Sequence, residues 1–141
     1  MPEDTETQRV DTQFDSELES ADAAENLVME VARDVGFDDD DIHKLGMAVR
    51  ESIVNAVVHG NRYNRRKKVH FSISTAPDRV TVRIGDEGDG FDVSSLSDPI
   101  ADQNLLQQSG RGIFLIKAFV DEFSVRKLSP GTEVTLVKYK R

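Results

Sequence analysis

The spacing of apolar residues changes once along the chain. From about residue 20 to residue 60, apolar side chains recur at steps of three and four, which is the period of an amphipathic helix. The first run stops at Gly36 and the second reaches Gly60, and glycine commonly ends helices. The pattern therefore predicts two helices, the first from about Ser20 and the second from about Ile42.

Beyond residue 68, apolar and polar residues alternate, as they do in a strand with one buried face. Two alternating runs, 69–74 and 80–84, flank a turn at 76–79 and predict a hairpin. The same reasoning predicts these further elements: an edge strand at 10–14, a helix at 112–120, and strands at 122–128 and 132–139. This order favours an α+β two-layer sandwich, with a mixed, mainly antiparallel sheet and its helices on one face.

Composition limits the classes of protein to which the chain can belong. Its 141 residues suffice for one domain, which we expect at residues 10–141 after a disordered acidic tail at 1–9. No cysteine is present, which excludes disulfides and thiolate metal sites. The net charge of −8 argues against binding to nucleic acid or to an anionic membrane. The sequence has no signal peptide and no apolar run of about 20 residues, so we expect a cytoplasmic protein.

Two local runs of charge each allow more than one interpretation. The run Asp38–Asp41 stands just before the second helix. A helix cap is favoured because Asp stabilises a helix N-terminus, and a calcium ligand set is the alternative. The basic segment 62–68 favours a solvated loop, with contact to an acidic partner as the second interpretation and nucleic acid as the third.

Two glycine clusters could carry chemistry. In the stretch Asp86–Phe91, which directly follows a strand, the first carboxylate could accept a hydrogen bond from an exocyclic amine. Its glycines let backbone approach a flat ring. The stretch Ser109–Ile113 enters a helix, where freed amides, the positive helix end and Arg111 suit a phosphate. Taken alone, a turn and a glycine hinge are the commoner explanations of these two clusters.

A third group lies on the second helix. Glu51, Asn55 and His59 recur every four residues and share one stripe, largely apart from the apolar face. A carboxamide offers an oxygen to magnesium, and a carboxylate one turn away can accept a proton from a nucleophile. For any one of these residues alone, a solvated helix face is the simpler explanation. The segment 86–109 is longer than an ordinary connection, which also indicates function.

The order of these groups within one chain resembles the GHKL ATPase superfamily. Within it, the chain most resembles the bacterial anti-sigma factor serine-protein kinases, over roughly residues 8–140. The resemblance implies the Bergerat ATP-binding fold of that superfamily. The motifs that carry it are, in chain order, Glu51-x3-Asn55-Ala56-x2-His59-Gly60-Asn61, Asp86-x-Gly88-x-Gly90-Phe91, Gly110-Arg111-Gly112-Ile113-x-Leu115-Ile116 and Gly131-Thr132.

The resemblance also implies a role for each matching position. Asn55 would coordinate the Mg²⁺ that bridges the ATP phosphates, and Glu51 would be the general base. Asp86 would hydrogen-bond the adenine amino group, helped by Thr132 through water. Gly88 and Gly90 would line the adenine pocket. The phosphates would be covered by Gly110, Arg111 and Gly112. Residues 92–109 would form a lid, and His59 would make a structural hydrogen bond to the loop.

A protein of this kind would transfer the γ-phosphoryl group of ATP to a serine or threonine of an anti-anti-sigma (antagonist) protein. It would otherwise sequester a sigma factor, and it would pair as a homodimer through its sheet. The alternative is a nucleotide-dependent partner-switching module without phosphotransfer activity. Glu51 separates the two, because a module that only binds does not need a general base.

Overall fold

The computed structural model describes residues 8–88 and 112–141. Its strands are β1 (Gln8–Asp15), β2 (Lys68–Ala76), β3 (Arg79–Gly85), β4 (Glu122–Lys127) and β5 (Thr132–Tyr139). They form one sheet in the order β1-β2-β3-β5-β4, and each neighbouring pair is antiparallel. The expected α+β two-layer sandwich is confirmed.

The described helices are α1 (Glu19–Val35), α2 (Asp39–Asn55) and α3 (Gly112–Phe119). A π-helical turn, Ala56–Gly60, continues α2. Asp38 is the N-cap of α2 and accepts a hydrogen bond from the Asp41 N–H at 2.8 Å, which confirms the capping interpretation. Gly36 ends α1 in the left-handed region, with φ +103°.

The core fills the space between the helices and one face of the sheet. Alternate residues of β2 point into it, since Val69, Phe71 and Ile73 are buried while His70 between them is exposed. Burying a side chain of this kind stabilises the fold by about 1.5–3 kcal/mol. Helix α2 packs against both α1 and α3, so its polar stripe lies at the boundary of the core and beside the start of α3.

The edge strand is longer than the sequence predicts. β1 begins at Gln8 rather than Val10, because Gln8 pairs with Thr75 and Arg9 with Ser74 of β2. The boundary drawn between tail and domain after residue 9 was therefore wrong by two residues. Residues 1–7 lie outside the described part of the chain. Among the helices described here, none combines the length and the apolar character that crossing a membrane requires.

Candidate active site

A small cavity lies between α2 and its π-helical turn, the ends of β3 and β5, and α3. Its walls are apolar, with Ile84, Ile113 and Ile116 among them, and its polar lining includes Asn55 and Asp86. The cavity volume is about 20 Å³, enough for one water molecule. An apolar cleft with a few fixed polar groups is the usual form of a small-molecule site.

Asp86 is the buried carboxylate of this site. It follows β3 directly, and the pairing of Gly85 with Glu133 places it beside Thr132 at the start of β5. Its Oδ1 accepts hydrogen bonds from the N–H of Gly88 at 3.0 Å and from the N–H of Thr132 at 3.2 Å. Within the described residues, Oδ2 accepts no hydrogen bond, so one carboxylate oxygen is left for a donor brought by a ligand.

Burial dominates the electrostatics of this carboxylate. Removal from water raises the pKa of Asp86 above its ordinary value, because burial disfavours the charged form. The hydrogen bonds from the Gly88 and Thr132 amides and the positive charge of Lys67 oppose that shift. An acceptor oxygen in such surroundings forms stronger hydrogen bonds than it would in water.

Two glycines let the backbone close around Asp86. A Cβ at Gly60 would lie 2.3 Å from Asp86 Oδ2, and a Cβ at Gly88 would lie 1.8 Å from the Gly60 carbonyl oxygen. No side chain fits at either position. Gly88 was assigned to the site from the sequence, whereas Gly60 was only part of the motif after Asn55, and its contact with Asp86 was missed.

The π-helical turn brings Gly60 to this position. The N–H of Asn61 donates to the Ala56 carbonyl at 2.7 Å, a bond that spans five residues rather than four. Turns of this kind are rare and occur often at functional sites. His59 lies half-buried in the turn, and burial lowers its pKa. In the described part of the chain the His59 side chain makes no hydrogen bond, so its expected structural bond is not found there.

Glu51 and Asn55 form the second polar end of the site. They lie one turn apart on α2, and the start of α3 faces both of them. A Cβ at Gly112 would lie 3.2 Å from Glu51 Oε2 and 3.6 Å from both amide atoms of Asn55. The backbone amides at the start of α3 therefore share this end with a carboxylate and a carboxamide, and the positive end of a helix favours an anion.

Within the described residues, neither a hydrogen bond of Asn55 Nδ2 nor an ion pair of Glu51 is present at this end. Asn55 is 7% exposed, and its Nδ2 is buried without a hydrogen bond. Rotation of the carboxamide by half a turn exchanges its nitrogen and oxygen, so either atom can face a ligand. Glu51 is half-buried and makes no ion pair within residues 8–88 and 112–141. In those same ranges, no group of three or more His, Cys, Asp and Glu side chains is placed to hold a metal ion.

Six of the nine residues assigned to the site from the sequence lie in the described part of the chain, and all six meet around this cleft. Thr132 contributes through its backbone N–H, which donates to Asp86. The six are Glu51, Asn55, Asp86, Gly88, Gly112 and Thr132. The other three, Gly90, Gly110 and Arg111, and the expected lid at 92–109 lie outside the described residues.

The sheet, the helix layer and the cleft between them define an ATPase domain of the histidine kinase-like type. The model of the histidine kinase-like ATPase domain family matches residues 14–138, and the chain belongs to that family.

Individual relatives give a more specific comparison than the domain family does. The chain is 34% identical over 109 residues to the serine-protein kinase RsbW of Staphylococcus aureus. The aligned region covers 71% of this chain and 67% of that relative. The protein of the same name from strain Newman matches over the same shares.

A solved structure gives the same fold. The crystal structure of the RsbU and RsbW domains of a Mycobacterium tuberculosis protein matches 96% of this chain, with a TM-score of 0.68 and 20% identity. The present chain spans about a third of the length of that solved chain, 33%. At this identity the likeness shows the fold alone.

Proposed function

We propose that this chain is an ATP-dependent protein serine/threonine kinase that phosphorylates an anti-anti-sigma (antagonist) protein and otherwise sequesters a sigma factor. The observation that carries the proposal is the placement of Glu51 and Asn55 against the start of α3, beside the cavity that Asn55 and Asp86 line. The relatives named serine-protein kinases support the same reaction. The proposed kinase domain is the expected single domain at 10–141, extended to Gln8.

The base of ATP is proposed to bind at the Asp86 end. The exocyclic amine of adenine would donate to Asp86 Oδ2, because Oδ1 already accepts two backbone amides. The apolar side chains of Ile84, Ile113 and Ile116 would cover the faces of the ring. A purine exceeds the cavity of about 20 Å³, so binding requires the cleft to widen.

The phosphates are proposed to lie at the Glu51 end, where the donor set suits magnesium. Asn55 would hold Mg²⁺ through its carboxamide oxygen, together with phosphate and water oxygens, which is the ligand mixture that this ion prefers. Bound there, the ion neutralises charge on the phosphates. Among the described residues the buried Nδ2 of Asn55 has no protein partner, which supports this assignment. The amides at the start of α3 would bind phosphate oxygens.

Glu51 is proposed to act as the general base. A serine or threonine hydroxyl of the substrate attacks the γ-phosphorus while its proton passes to the Glu51 carboxylate. The new O–P bond forms as the bond from the γ-phosphorus to the bridging oxygen breaks, and ADP leaves. Positioning and electrostatic stabilisation supply most of the rate in this type of reaction.

A phosphotransfer assay with the candidate antagonist, ATP and Mg²⁺ tests the proposal. Glu51→Gln should reduce transfer by about a hundredfold or more, the usual contribution of a general base, while ATP affinity stays near that of the wild type. Glu30→Gln, on the solvent side of α1, is the matched control. Transfer that survives Glu51→Gln would exclude Glu51 as the base. Wild-type protein that binds ATP and its partner without transfer would favour the partner-switching module.

Our proposal also covers the location, the oligomeric state and the partners of the protein. We place the protein in the cytoplasm, as a homodimer, with proteins rather than nucleic acid as its partners. The outer face of the sheet, opposite the helices, carries a mixture of charges such as Arg9, Asp11 and Glu133. Light scattering of the purified full chain measures its oligomeric state, and identification of a co-purifying protein would name the partner.

A further inference from the structure

Asn61 is the first residue after the π-helical turn, and its side chain links three separate segments. It is only 2% exposed. Its Nδ2 donates to Ser16 Oγ at 2.9 Å and to the Lys68 carbonyl at 3.0 Å. Its Oδ1 accepts the N–H of Glu87 at 2.7 Å. One buried carboxamide therefore joins the end of β1, the start of β2 and the segment that follows β3.

The bond to Glu87 acts on the peptide unit next to Asp86. That N–H belongs to the same peptide plane as the Asp86 carbonyl, so fixing it restricts the backbone from which the Asp86 side chain extends. The Asp86 carboxylate is then held by Gly88 and Thr132 at Oδ1 only. The direction of Oδ2 thus depends on a backbone that Asn61 anchors to the helix side of the cleft.

The Glu87 side chain makes two further contacts. The Glu87 carboxylate accepts the Lys68 N–H at 3.2 Å and contacts His70 Nε2 at 2.5 Å. The His70 side chain is 46% exposed, and exposed ion pairs contribute little. Two bonds restrain the backbone on either side of Asp86: its own N–H donates to the Thr132 carbonyl at 2.9 Å, and the Glu87 N–H donates to Asn61. The Asn61 side chain is buried, so loss of its acceptor oxygen would leave the Glu87 N–H without this partner.

We propose that Asn61 is a positioning residue for base recognition, which holds the Asp86–Glu87 peptide so that Asp86 Oδ2 faces the amine of adenine. The proposal rests on the proposed binding of ATP. Guanine carries a carbonyl oxygen where adenine carries its amine, and a correctly aimed carboxylate repels that oxygen. Asn61 therefore contributes to the preference for ATP over GTP, although it touches neither nucleotide.

Calorimetric affinities of the full chain for Mg-ATP and Mg-GTP test this role. Asn61→Ala should lower ATP affinity roughly five- to tenfold and lower the ATP-to-GTP affinity ratio, while the dependence on Mg²⁺ persists. Ser16→Ala is the matched control, since it removes one Asn61 contact and leaves the bond to Glu87. It should reduce stability and leave the ratio unchanged, whereas an equal fall of the ratio in both variants would overturn the proposal.

A conservative variant and a local measurement complete the test. Asn61→Asp keeps an acceptor for the Glu87 N–H and should keep the ATP-to-GTP ratio near that of the wild type, because effects common to both nucleotides cancel. Hydrogen exchange of the Glu87 amide in the nucleotide-free chain should be slow in the wild type and fast in Asn61→Ala. If Asn61→Ala does not fold, either of two results overturns the proposal. One is a fall of the ATP-to-GTP affinity ratio in folded Asn61→Asp, and the other is fast hydrogen exchange of the Glu87 amide in the wild type. Wild-type protein that fails to bind ATP would overturn the proposed function as well, whereas an unchanged ratio in folded Asn61→Ala overturns this inference alone.

Discussion

The two ends of the cleft differ in how completely the protein satisfies its own polar groups. At the Asp86 end, backbone amides hold one carboxylate oxygen, and Gly60 and Gly88 approach too closely for any side chain. At the Glu51 end, the Asn55 amide is buried without a partner, and Glu51 makes no ion pair within the described residues. An unpaired buried amide costs about 1–3 kcal/mol. Within the described residues the Asp86 end is thus assembled without a ligand, and we call it the base end because the base of ATP is proposed to bind there. The Glu51 end, where the phosphates are proposed to lie, would gain hydrogen bonds when a ligand binds.

The backbone explains this difference. Glu51 and Asn55 lie on a regular helix, which fixes their spacing but supplies no further hydrogen-bond donors from its side. The base end is assembled from a π-helical turn, a segment after β3 and the start of β5, and the N–H groups of Gly88 and Thr132 donate to its carboxylate. Variants that displace the backbone around Asp86 should therefore disturb both stability and binding, whereas side-chain variants at Glu51 and Asn55 should disturb binding alone.

The largest effect is expected at Gly88. In Gly88→Ala the new Cβ would meet the Gly60 carbonyl oxygen at 1.8 Å, so one backbone segment must move and the Asp86 hydrogen bonds are lost with it. Overpacking of this kind costs about 1–3 kcal/mol or more, and ATP binding should disappear. Urea unfolding and calorimetry measure the two effects.

Gly85→Ala is the control for that variant. Three residues earlier, a Cβ would meet nothing closer than Leu128 Cδ1 at 3.6 Å, which is ordinary contact. Its unfolding free energy should stay within about 1 kcal/mol of the wild type. Equal stability and equal ATP affinity in Gly88→Ala and Gly85→Ala would mean that the base end is not rigid.

The contrast between the two ends also separates what the sequence predicts from what it does not. The stripe of Glu51 and Asn55 follows from helical periodicity, because a regular helix converts a spacing of four into proximity. The approach of Gly60 to Asp86 does not follow, since a π-helical turn breaks that periodicity and its contact partner lies 26 residues further on. Asn61 belonged to the motif but received no role from the sequence, because its role depends on three partners from distant segments.

The fold was predicted more completely than the site. Each described helix and strand coincides with a run of the expected period, because burial of one face determines both the pattern and the layers. The largest differences lie at two element starts, since α2 begins at Asp39 rather than at Ile42 and β1 begins at Gln8 rather than at Val10. The polar residues Gln8 and Arg9 enter the sheet through backbone pairing rather than through their side chains. The roles of Gly90, Gly110 and Arg111 stay predictions, carried by the resemblance of their motifs.

The second largest effect is expected at Asn55, where ATP binding should change and stability should not. Asn55→Ala removes the proposed magnesium ligand, so ATP affinity should become the same in Mg²⁺ and in EDTA. The unfolding free energy should change by no more than about 1 kcal/mol, because the lost carboxamide nitrogen had no hydrogen bond to lose. Asn64→Ala, in the exposed loop after the π-helical turn, is the matched control. Magnesium dependence retained in Asn55→Ala would remove this residue from the metal site.

The smallest effect of the three, a partial loss of affinity, is expected at Asp86. In Asp86→Asn the amide oxygen keeps the bonds from Gly88 and Thr132, which leaves an NH₂ donor facing the amine of adenine. Loss of a hydrogen bond to a charged group corresponds to roughly a 10- to 150-fold fall in ATP affinity. Stability at neutral pH should not fall, because the variant removes the burial cost that raises the pKa of Asp86.

The effect of burying Asp86 can be measured by comparing the stability of the wild type and Asp86→Asn as a function of pH. Since the pKa is raised in the folded state, the folded chain holds a proton on Asp86 over a range in which the unfolded chain has released it. The stability of the wild type relative to Asp86→Asn should therefore decrease as the pH rises from the ordinary carboxylate value through the raised one. ATP affinity of the wild type relative to Asp86→Asn should change in the opposite direction, because a proton on Oδ2 turns the acceptor into a donor. The titration of ATP itself affects the wild type and Asp86→Asn equally and cancels in the comparison. If ATP affinity depends on pH in the same way in both proteins, Asp86 does not face the base.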